Sequence, residues 1–246
     1  MPAKLNEIFS SIQGEGMYVG ERQIFVRFVG CNLTCGYCDT PAKNEGKLTS
    51  AEELVESVPR QGSECLEWRA CRAISLLDTQ KGLHHSISLT GGEPLLQVEF
   101  LKSFIPLLKE QLKLPIYLET NGTLPDHLTE IIELVDIISM DIKLPSATGL
   151  SPYWKEHRRF LETAYLKEVF VKIVFTKETT MKDLEEGVKI IAEVDENIPL
   201  ILQPATAHRH VKPPEAVKIL AFQALAKRKL KQVRVIPQIH KLLGLR

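Results

Sequence analysis

The chain has 246 residues, of which 44% are hydrophobic and 25% charged, and its 31 basic residues balance its 31 acidic ones. These values are typical of a globular protein with a substantial core, and the length favours one domain over residues 1–246. No apolar run approaches the roughly 18 residues that cross a bilayer, and the first residues contain no apolar signal segment. We therefore expect a cytoplasmic protein and exclude membrane proteins, secreted disulfide scaffolds and disordered chains.

The charge is distributed unevenly along the chain. Residues 207–246 carry ten lysines or arginines and one acid, Glu215, so this segment is +9 and residues 1–206 are −9. A basic segment can bind nucleic acid or an anionic small molecule. The run 227–231, however, is typical of a solvated helix face, and direct binding of nucleic acid is not expected.

Short runs rich in Val, Ile and Phe alternate with longer amphipathic segments, which is typical of βα units around a parallel sheet. The predicted strands are Gln23–Val29, His85–Thr90, Ile116–Thr120, Ile137–Ile142, Val169–Phe175 and Pro199–Gln203. The predicted helices are Ser50–Val58, Gln97–Leu112, Asp126–Leu134, Pro152–Leu166, Thr180–Val194 and Pro213–Lys229. Six such strands indicate an α/β protein, a (β/α)6 sheet curved into an incomplete barrel. Its core spans about residues 20–205, and a C-terminal extension follows.

Unusual polar motifs follow five of the predicted strands. They are GCNLTCGYCDT from Gly30, TGGEP from Thr90, ETNG from Glu119, SMDIK from Ser139 and QPAT from Gln203. In parallel α/β proteins the functional residues gather at the C-terminal ends of the strands. The five motifs are therefore expected to form one site.

Cys31, Cys35 and Cys38 form a C-x3-C-x2-C pattern within the first of these loops. Thiolates are soft ligands that suit an iron–sulfur cluster or zinc. A [4Fe–4S] cluster held by three cysteines would leave one iron open to a small molecule, whereas electron-transfer clusters use four. Cys65 or Cys71 could complete a four-thiolate zinc site instead, and spacing alone leaves that alternative open.

The cysteine pattern after the first strand, followed by GGEP after the second, resembles the radical S-adenosylmethionine (SAM) superfamily. The resemblance implies a [4Fe–4S] cluster whose unique iron binds the amino and carboxylate groups of SAM. It also implies reductive cleavage of SAM to a radical that abstracts hydrogen from substrate, with an electron donor such as flavodoxin or ferredoxin.

A narrower resemblance covers nearly the whole chain. The motifs EIFSSIQGEG (Glu7–Gly16), FVRFVGCN (Phe25–Asn32), CDT (Cys38–Thr40), SLTGGEPLLQ (Ser88–Gln97), ETNG, QP (Gln203–Pro204) and Q-x-HK (Gln238–Lys241) are similar to those of the 7-carboxy-7-deazaguanine synthase family. That family implies a Mg2+-dependent lyase, typically a homodimer, that converts 6-carboxy-5,6,7,8-tetrahydropterin to 7-carboxy-7-deazaguanine and ammonia. The product is a precursor of queuosine-type nucleosides in tRNA modification or of other 7-deazapurines. Residues 206–246 are expected to close the substrate site.

The resemblance assigns substrate-binding roles along the chain. The implied residues are Ile12, Gln13, Gly14, Glu15, Arg27, Thr90, Gln238 and His240. Arg27 interrupts an apolar strand, and a buried arginine needs an anionic partner, either the substrate carboxylate or an internal salt bridge. Gln13 and Glu15 are interpreted as readers of the amino-pyrimidine edge, with a plain surface turn as the alternative. The terminal carboxylate of Arg246 is a weaker candidate for the same cavity.

Two further sets of ligands are implied. Thr40 is assigned to Mg2+, although a threonine there is also a typical helix N-cap. The residues assigned to SAM are Tyr37, Cys38, Asp39, Gly91, Gly92, Glu93, Glu119, Asn121, Ser139, Asp141, Lys143, Gln203, Pro204, Ala205 and Thr206. The competing functions are a glycyl-radical activating enzyme, a zinc-structured module and an electron-transfer module.

Overall fold

The protein is described here from a computed structural model that covers residues 2–40, 46–56, 83–208 and 210–245. Its strands are β1 (Ala3–Ile12), β2 (Arg22–Phe28), β3 (Lys47–Thr49), β4 (Ser86–Gly91), β5 (Ile116–Thr120), β6 (Ile137–Asp141), β7 (Glu168–Phe175), β8 (Leu200–Pro204) and β9 (Val233–Val235). Its helices are α1 (Ala51–Glu56), α2 (Val98–Leu112), α3 (Pro125–Ile131), α4 (Pro145–Thr148), α5 (Trp154–Ala164), α6 (Met181–Val194), α7 (Ala216–Lys227) and α8 (Ile239–Leu242). Short 3₁₀ turns occupy Pro94–Gln97 and Ile132–Leu134.

All of these strands belong to one sheet in the order β3-β1-β2-β4-β5-β6-β7-β8-β9. Strand β2 pairs parallel with β4, and each following pair from β4 to β9 is also parallel. Strand β1 pairs antiparallel with both β2 and β3. The two edge strands β3 and β9 do not pair with each other, so the sheet is open. The predicted incomplete barrel is thereby confirmed. Its parallel part contains all six predicted strands, and β9 adds a seventh.

Three strands and two short helices were not predicted. In β1 only three of ten residues are buried, so this antiparallel strand lacks the continuous apolar run of the parallel strands. Strands β3 and β9 have three residues each, and α4 and α8 have four, which is too short for a clear periodic pattern.

The predicted helices are present, and most are shorter than predicted at one or both ends. Helix α3 instead begins at Pro125, one residue before its predicted start. Ser50 and Glu53 form a capping box at α1, since each backbone N–H donates to the other side chain at 3.0 Å. Thr180 caps α6 by accepting from the N–H of Asp183 at 3.2 Å. Val58, the predicted end of the first helix, lies outside the described residues.

Alternation along the strands separates two faces of the sheet. On β7, Val171 and Ile173 pack into the core beneath the helices, whereas Phe170 and Lys172 point into the barrel. At the N-terminal ends of the strands the interior is filled by Tyr117, Ile137, Phe170 and Ile201, with Met17, Tyr18 and Ile236 packed against them. The barrel is thus closed at that end, and its open space lies at the C-terminal ends of the strands. No helix in the described ranges combines the length and apolar character that a membrane span needs.

Candidate functional site

A cavity of about 1090 Å³ occupies the barrel interior at the C-terminal ends of the strands. It brings together nearly all of the residues singled out from the sequence. Those that line it are Ile12, Gln13, Gly14, Glu15, Arg27, Cys31, Cys35, Tyr37, Cys38, Asp39, Thr40, Thr90, Gly91, Gly92, Glu119, Asn121, Ser139, Asp141, Lys143, Gln203, Ala205, Thr206, Gln238 and His240. Glu93 and Pro204 are not in the lining, and Arg246, Cys65 and Cys71 lie outside the described residues.

Three strand-end loops contact each other at the cysteines. The Glu93 N–H donates to the carbonyl oxygen of Gly30 at 2.8 Å, and a Cβ on Gly92 would lie 1.8 Å from that oxygen. Only glycine therefore allows the GGEP loop to approach the cysteine loop this closely. The ETNG loop joins them through Asn121, whose Nδ2 donates to Asn32 at 2.8 Å and lies 3.9 Å from Cys31 Sγ.

Glu93 braces these loops from behind the cavity wall. Its Oε1 accepts from the Thr120 hydroxyl at 2.9 Å and the Leu95 N–H at 3.1 Å, and its Oε2 accepts from the Asn121 N–H at 2.8 Å. The side chain is completely buried, and burial raises the pKa of Glu93 to about 7 against these hydrogen bonds. Each oxygen therefore already accepts a hydrogen bond from the protein. The family resemblance assigned this residue to SAM, and that assignment stays a prediction.

The segment after β1 presents a carboxylate to the cavity. Gln13 is buried, and its Nε2 donates to Gln23 at 2.9 Å and to Glu119 at 2.8 Å, which fixes its amide within the protein. Glu15 accepts from Gln238 Nε2 at 2.8 Å and from the Lys172 ammonium. Burial alone would raise the pKa of Glu15, but Lys172 and Gln238 hold it at about 2, so this carboxylate is ionised at neutral pH.

Arg27 forms an internal ion pair and still lines the cavity. Its Nε lies 3.0 Å from Glu7 Oε1, and its guanidinium lies 5.3 Å from the centre of the Phe9 ring. Glu7 stands opposite Arg27 in the antiparallel pairing of β1 and β2. The salt bridge that the sequence left open as an alternative is therefore present.

The C-terminal segment lies across the cavity and contacts the first two loops. The Ile239 N–H donates to the Gly14 carbonyl at 2.9 Å, and Gln238 Nε2 donates to Asp39 at 3.1 Å. Lys241 forms an ion pair with the same Asp39 carboxylate. A Cβ on Gly14 would lie 2.3 Å from His240 Nδ1, so the fit between these segments depends on glycine.

Two buried residues near the cavity escaped the sequence analysis. Lys172 interrupts the apolar strand β7 as Arg27 interrupts β2, so the same signal was available for it. His157 on α5 is completely buried behind the ETNG loop, and its Nε2 lies 3.2 Å from the Asn121 carbonyl oxygen. No local pattern distinguishes His157 from a core histidine.

Comparison with known proteins identifies the family. The Radical SAM superfamily profile matches residues 25–189. The 7-carboxy-7-deazaguanine synthase of Geobacter sulfurreducens is 45% identical over 245 residues, covering 98% of this chain and 97% of the relative. That of Methanopyrus kandleri is 37% identical, covering 96% of this chain and 91% of the relative. The chain belongs to the 7-carboxy-7-deazaguanine synthase family.

Solved structures agree with this family at the level of the fold. QueE from Escherichia coli has a TM-score of 0.56 at 20% identity, covering 96% of this chain and 94% of that one. A radical SAM methyltransferase from Sphaerobacter thermophilus has a TM-score of 0.62 at 15% identity, covering 88% of this chain and 66% of that one. At these identities the likeness supports the fold alone.

Membership in this family implies a [4Fe–4S] cluster and SAM, and three cysteines at the cavity wall fit the cluster. Cys31, Cys35 and Cys38 supply three soft ligands at the cavity wall, and the Leu33 N–H lies 3.4 Å from Cys31 Sγ. Hydrogen bonds to sulfur are one of the ways in which proteins tune such clusters. In the described ranges, no group of three or more His, Cys, Asp or Glu side chains is arranged so that it could bind a single metal ion.

Proposed function

We propose that this chain is a radical SAM enzyme that converts 6-carboxy-5,6,7,8-tetrahydropterin to 7-carboxy-7-deazaguanine and releases ammonia. The observation that supports it most is the 45% identity over nearly the whole of a 7-carboxy-7-deazaguanine synthase. The geometry is in accord, because the SIQGEG segment and the three cysteines line the same cavity. The bound cluster and SAM would supply the hydrogen abstraction that starts the rearrangement, and the protein would position the reactants.

The protein's contribution to substrate binding would come from charged groups fixed in advance. Glu15, ionised and held by Lys172 and Gln238, is suited to accept N–H groups from the amino-pyrimidine edge. Arg27 would bind the substrate carboxylate through its guanidinium while Nε stays on Glu7. His240 and Thr90 would complete the substrate contacts.

The cofactor side would be formed by the strand-end loops. Gly91 and Gly92 would allow backbone groups to reach the methionine part of SAM, while Asn121, Ser139, Asp141 and Lys143 would serve its carboxylate and ribose hydroxyls. Tyr37, Asp39 and the segment Gln203–Thr206 would contact adenine. Thr40 would bind Mg2+ together with substrate oxygens, since Mg2+ prefers hard oxygen ligands and retains water.

The wider assignment follows the resemblance. We propose a cytoplasmic homodimer, reduced by a donor such as flavodoxin or ferredoxin, whose product serves as a 7-deazapurine precursor for queuosine in tRNA.

The decisive experiment is oxygen-free reconstitution of the cluster, followed by reduction in the presence of SAM and carboxytetrahydropterin. We expect 7-carboxy-7-deazaguanine to form. Cleavage of SAM without this product would refute the substrate assignment, and activation of a partner protein instead would favour the glycyl-radical activating class. Cys35→Ala is expected to abolish SAM cleavage.

Arg27→Ala tests the carboxylate assignment separately. It should retain the cluster and SAM binding but lose turnover, whereas Arg234→Ala, an exposed arginine on β9, serves as the matched control. Unchanged turnover in Arg27→Ala would refute the role of this residue.

A further inference from the structure

Lys172 is a buried lysine to which the proposed function assigns no role beyond its contact with Glu15. It lies on the barrel face of β7, and only 9% of the residue is exposed. Its ammonium bonds to Glu15 Oε2 and lies 3.9 Å from Asp141 Oδ2. Glu15 belongs to the segment after β1, and Asp141 ends β6, so Lys172 stands between two separate parts of the cavity wall.

The ammonium determines the ionisation of Glu15. A carboxyl group buried at this depth would take up a proton at higher pH if its cation were absent. The Gln238 amide also bonds to Glu15, but it is neutral and supplies less stabilisation of the charge. The other titratable groups around this pair come from four elements: Asp39 in the cysteine loop, Tyr117 and Glu119 on β5, Asp141 on β6 and His240 on α8. Three of these are carboxylic acids, of which Asp39 pairs with Lys241 and Asp141 with Lys143, whereas Lys172 is the cation that contacts Glu15.

Asp141 is oriented by the same contacts. Its Oδ2 lies 2.7 Å from Lys143 Nζ and 3.9 Å from Lys172 Nζ. Its Oδ1 is buried and accepts no hydrogen bond within the described part of the chain. A buried acceptor without a donor is costly, so a ligand hydroxyl at this point would satisfy it.

We propose that Lys172 is a positioning residue that couples the two ligand subsites. Its ammonium fixes the Glu15 carboxylate for the N–H edge of the heterocycle and directs Asp141 so that Oδ1 receives a hydroxyl of the nucleoside cofactor. The proposal rests on the proposed function for the identity of the two ligands, but the coupling of Glu15, Lys172 and Asp141 does not depend on it.

The test compares Lys172→Met and Lys172→Arg in the reconstituted full-length protein. Lys189→Met is the matched control, because Lys189 forms an exposed pair with Glu186 at 3.5 Å on the outer helix α6. Equilibrium binding of carboxytetrahydropterin, followed without turnover, should weaken about tenfold or more in Lys172→Met at neutral pH. Lys172→Arg should recover most of this loss, and the control should bind as the wild type does.

The pH dependence distinguishes positioning from a general loss of structure. Wild-type binding should show no Glu15 transition above pH 5, because this group is already ionised there. Lys172→Met should show a new transition above the ordinary glutamate pKa, with binding lost as the pH falls and Glu15 takes up a proton. The double variant Glu15→Gln/Lys172→Met should lack that transition. Persistence of the transition in the double variant, or its absence from Lys172→Met, would overturn the proposal.

A measurement without pterin keeps this test independent of the proposed function. Lys172→Met should lower the melting temperature relative to the wild type, and this difference should shrink as the pH falls, because a neutral Glu15 no longer needs a cation. When Glu15→Gln is already present, the effect of Lys172→Met should no longer depend on pH. If the wild type fails to bind or convert the pterin while these melting curves behave as expected, the proposed function fails and the coupling of Lys172 with Glu15 stands. Equal losses at every pH would refute the coupling of Lys172 with Glu15.

Discussion

His157 makes a quantitative prediction about stability and pH. Its Nε2 lies 3.2 Å from the Asn121 carbonyl oxygen and 3.4 Å from the Lys143 backbone nitrogen, and the shorter contact, to an acceptor, favours a ring hydrogen on Nε2. Its Nδ1 is buried with no hydrogen-bond partner in the described ranges. A second proton would place a buried N–H at Nδ1 without an acceptor. Burial, together with the charge of Lys143, therefore lowers the pKa of His157 from 6.5 to about 3, although the Asn121 carbonyl opposes the shift.

The magnitude follows from proton linkage. A histidine whose pKa is depressed by folding contributes stability above its unfolded value of 6.5, and that stability is lost as the pH falls below 6.5. At about pH 5 the unfolded chain has taken up the proton and the folded chain has not, which costs about 2 kcal/mol relative to pH 8. Glu93 acts in the opposite sense, because its pKa is raised to about 7 and its burial is less costly once it is protonated.

Because these two groups oppose each other, the assay compares variants instead of reading one pH curve. Urea unfolding of the reduced apoprotein is measured at both pH values for the wild type and for His157→Gln, whose amide can still donate to Asn121. The wild type should lose about 2 kcal/mol more than the variant. His210→Gln removes an exposed imidazole and serves as the control. Equal losses in wild type and His157→Gln, or an NMR titration of the His157 ring near pH 6.5, would refute the reasoning.

Three substitutions test the loop contacts of the cavity. Gly92→Ala places a Cβ 1.8 Å from a carbonyl oxygen of the cysteine loop, so we expect loss of cluster assembly, measured as iron and sulfide content after reconstitution. Gly14→Ala drives a methyl group into His240, an overpacking worth about 1–3 kcal/mol, and should raise KM for the pterin while SAM binding persists. Lys241→Met breaks a half-exposed pair with Asp39, so Tm should change by less than the equivalent of about 1 kcal/mol while KM for the pterin rises. A large fall in Tm of Lys241→Met would show that the Lys241–Asp39 pair stabilises the fold, contrary to this expectation.

Which residues line the cavity was largely predictable, because the C-terminal ends of parallel strands lie at the same edge of the sheet. Motifs separated by more than a hundred residues, such as the cysteine loop and SMDIK, needed only the strand pattern to be placed together. Local structure explains why two of the assigned residues do not line the cavity. Glu93 turns inward to cap the turn at Pro94–Gln97, and Pro204 is the last residue of β8, next to the lining residues Gln203 and Ala205.

What the sequence could not supply was the pairing of charges. The Glu7–Arg27 pair depends on the register of β1 against β2, and β1 itself was missed because most of its residues are only partly buried. Lys172 meets an acid 157 residues away in the chain, a distance over which no local pattern carries information. The roles assigned to individual residues stay predictions until the variants are measured.

The paired charges also bear on which ligands the cavity favours. Its charged lining in the described residues is nearly balanced, with five acids and four bases: Glu7, Glu15, Asp39, Glu119 and Asp141 against Arg27, Lys143, Lys172 and Lys241. Each of the four bases has an acid partner already. A simple anion entering such a site gains little, because the cation it meets is neutralised and the acid partner repels it. A ligand that carries both an anionic group and N–H donors can bond to the cation and the acid of one pair together. The methionine part of SAM and the carboxylated pterin both have this character, so the charge pairs also favour ligands that combine an anionic group with N–H donors over simple anions.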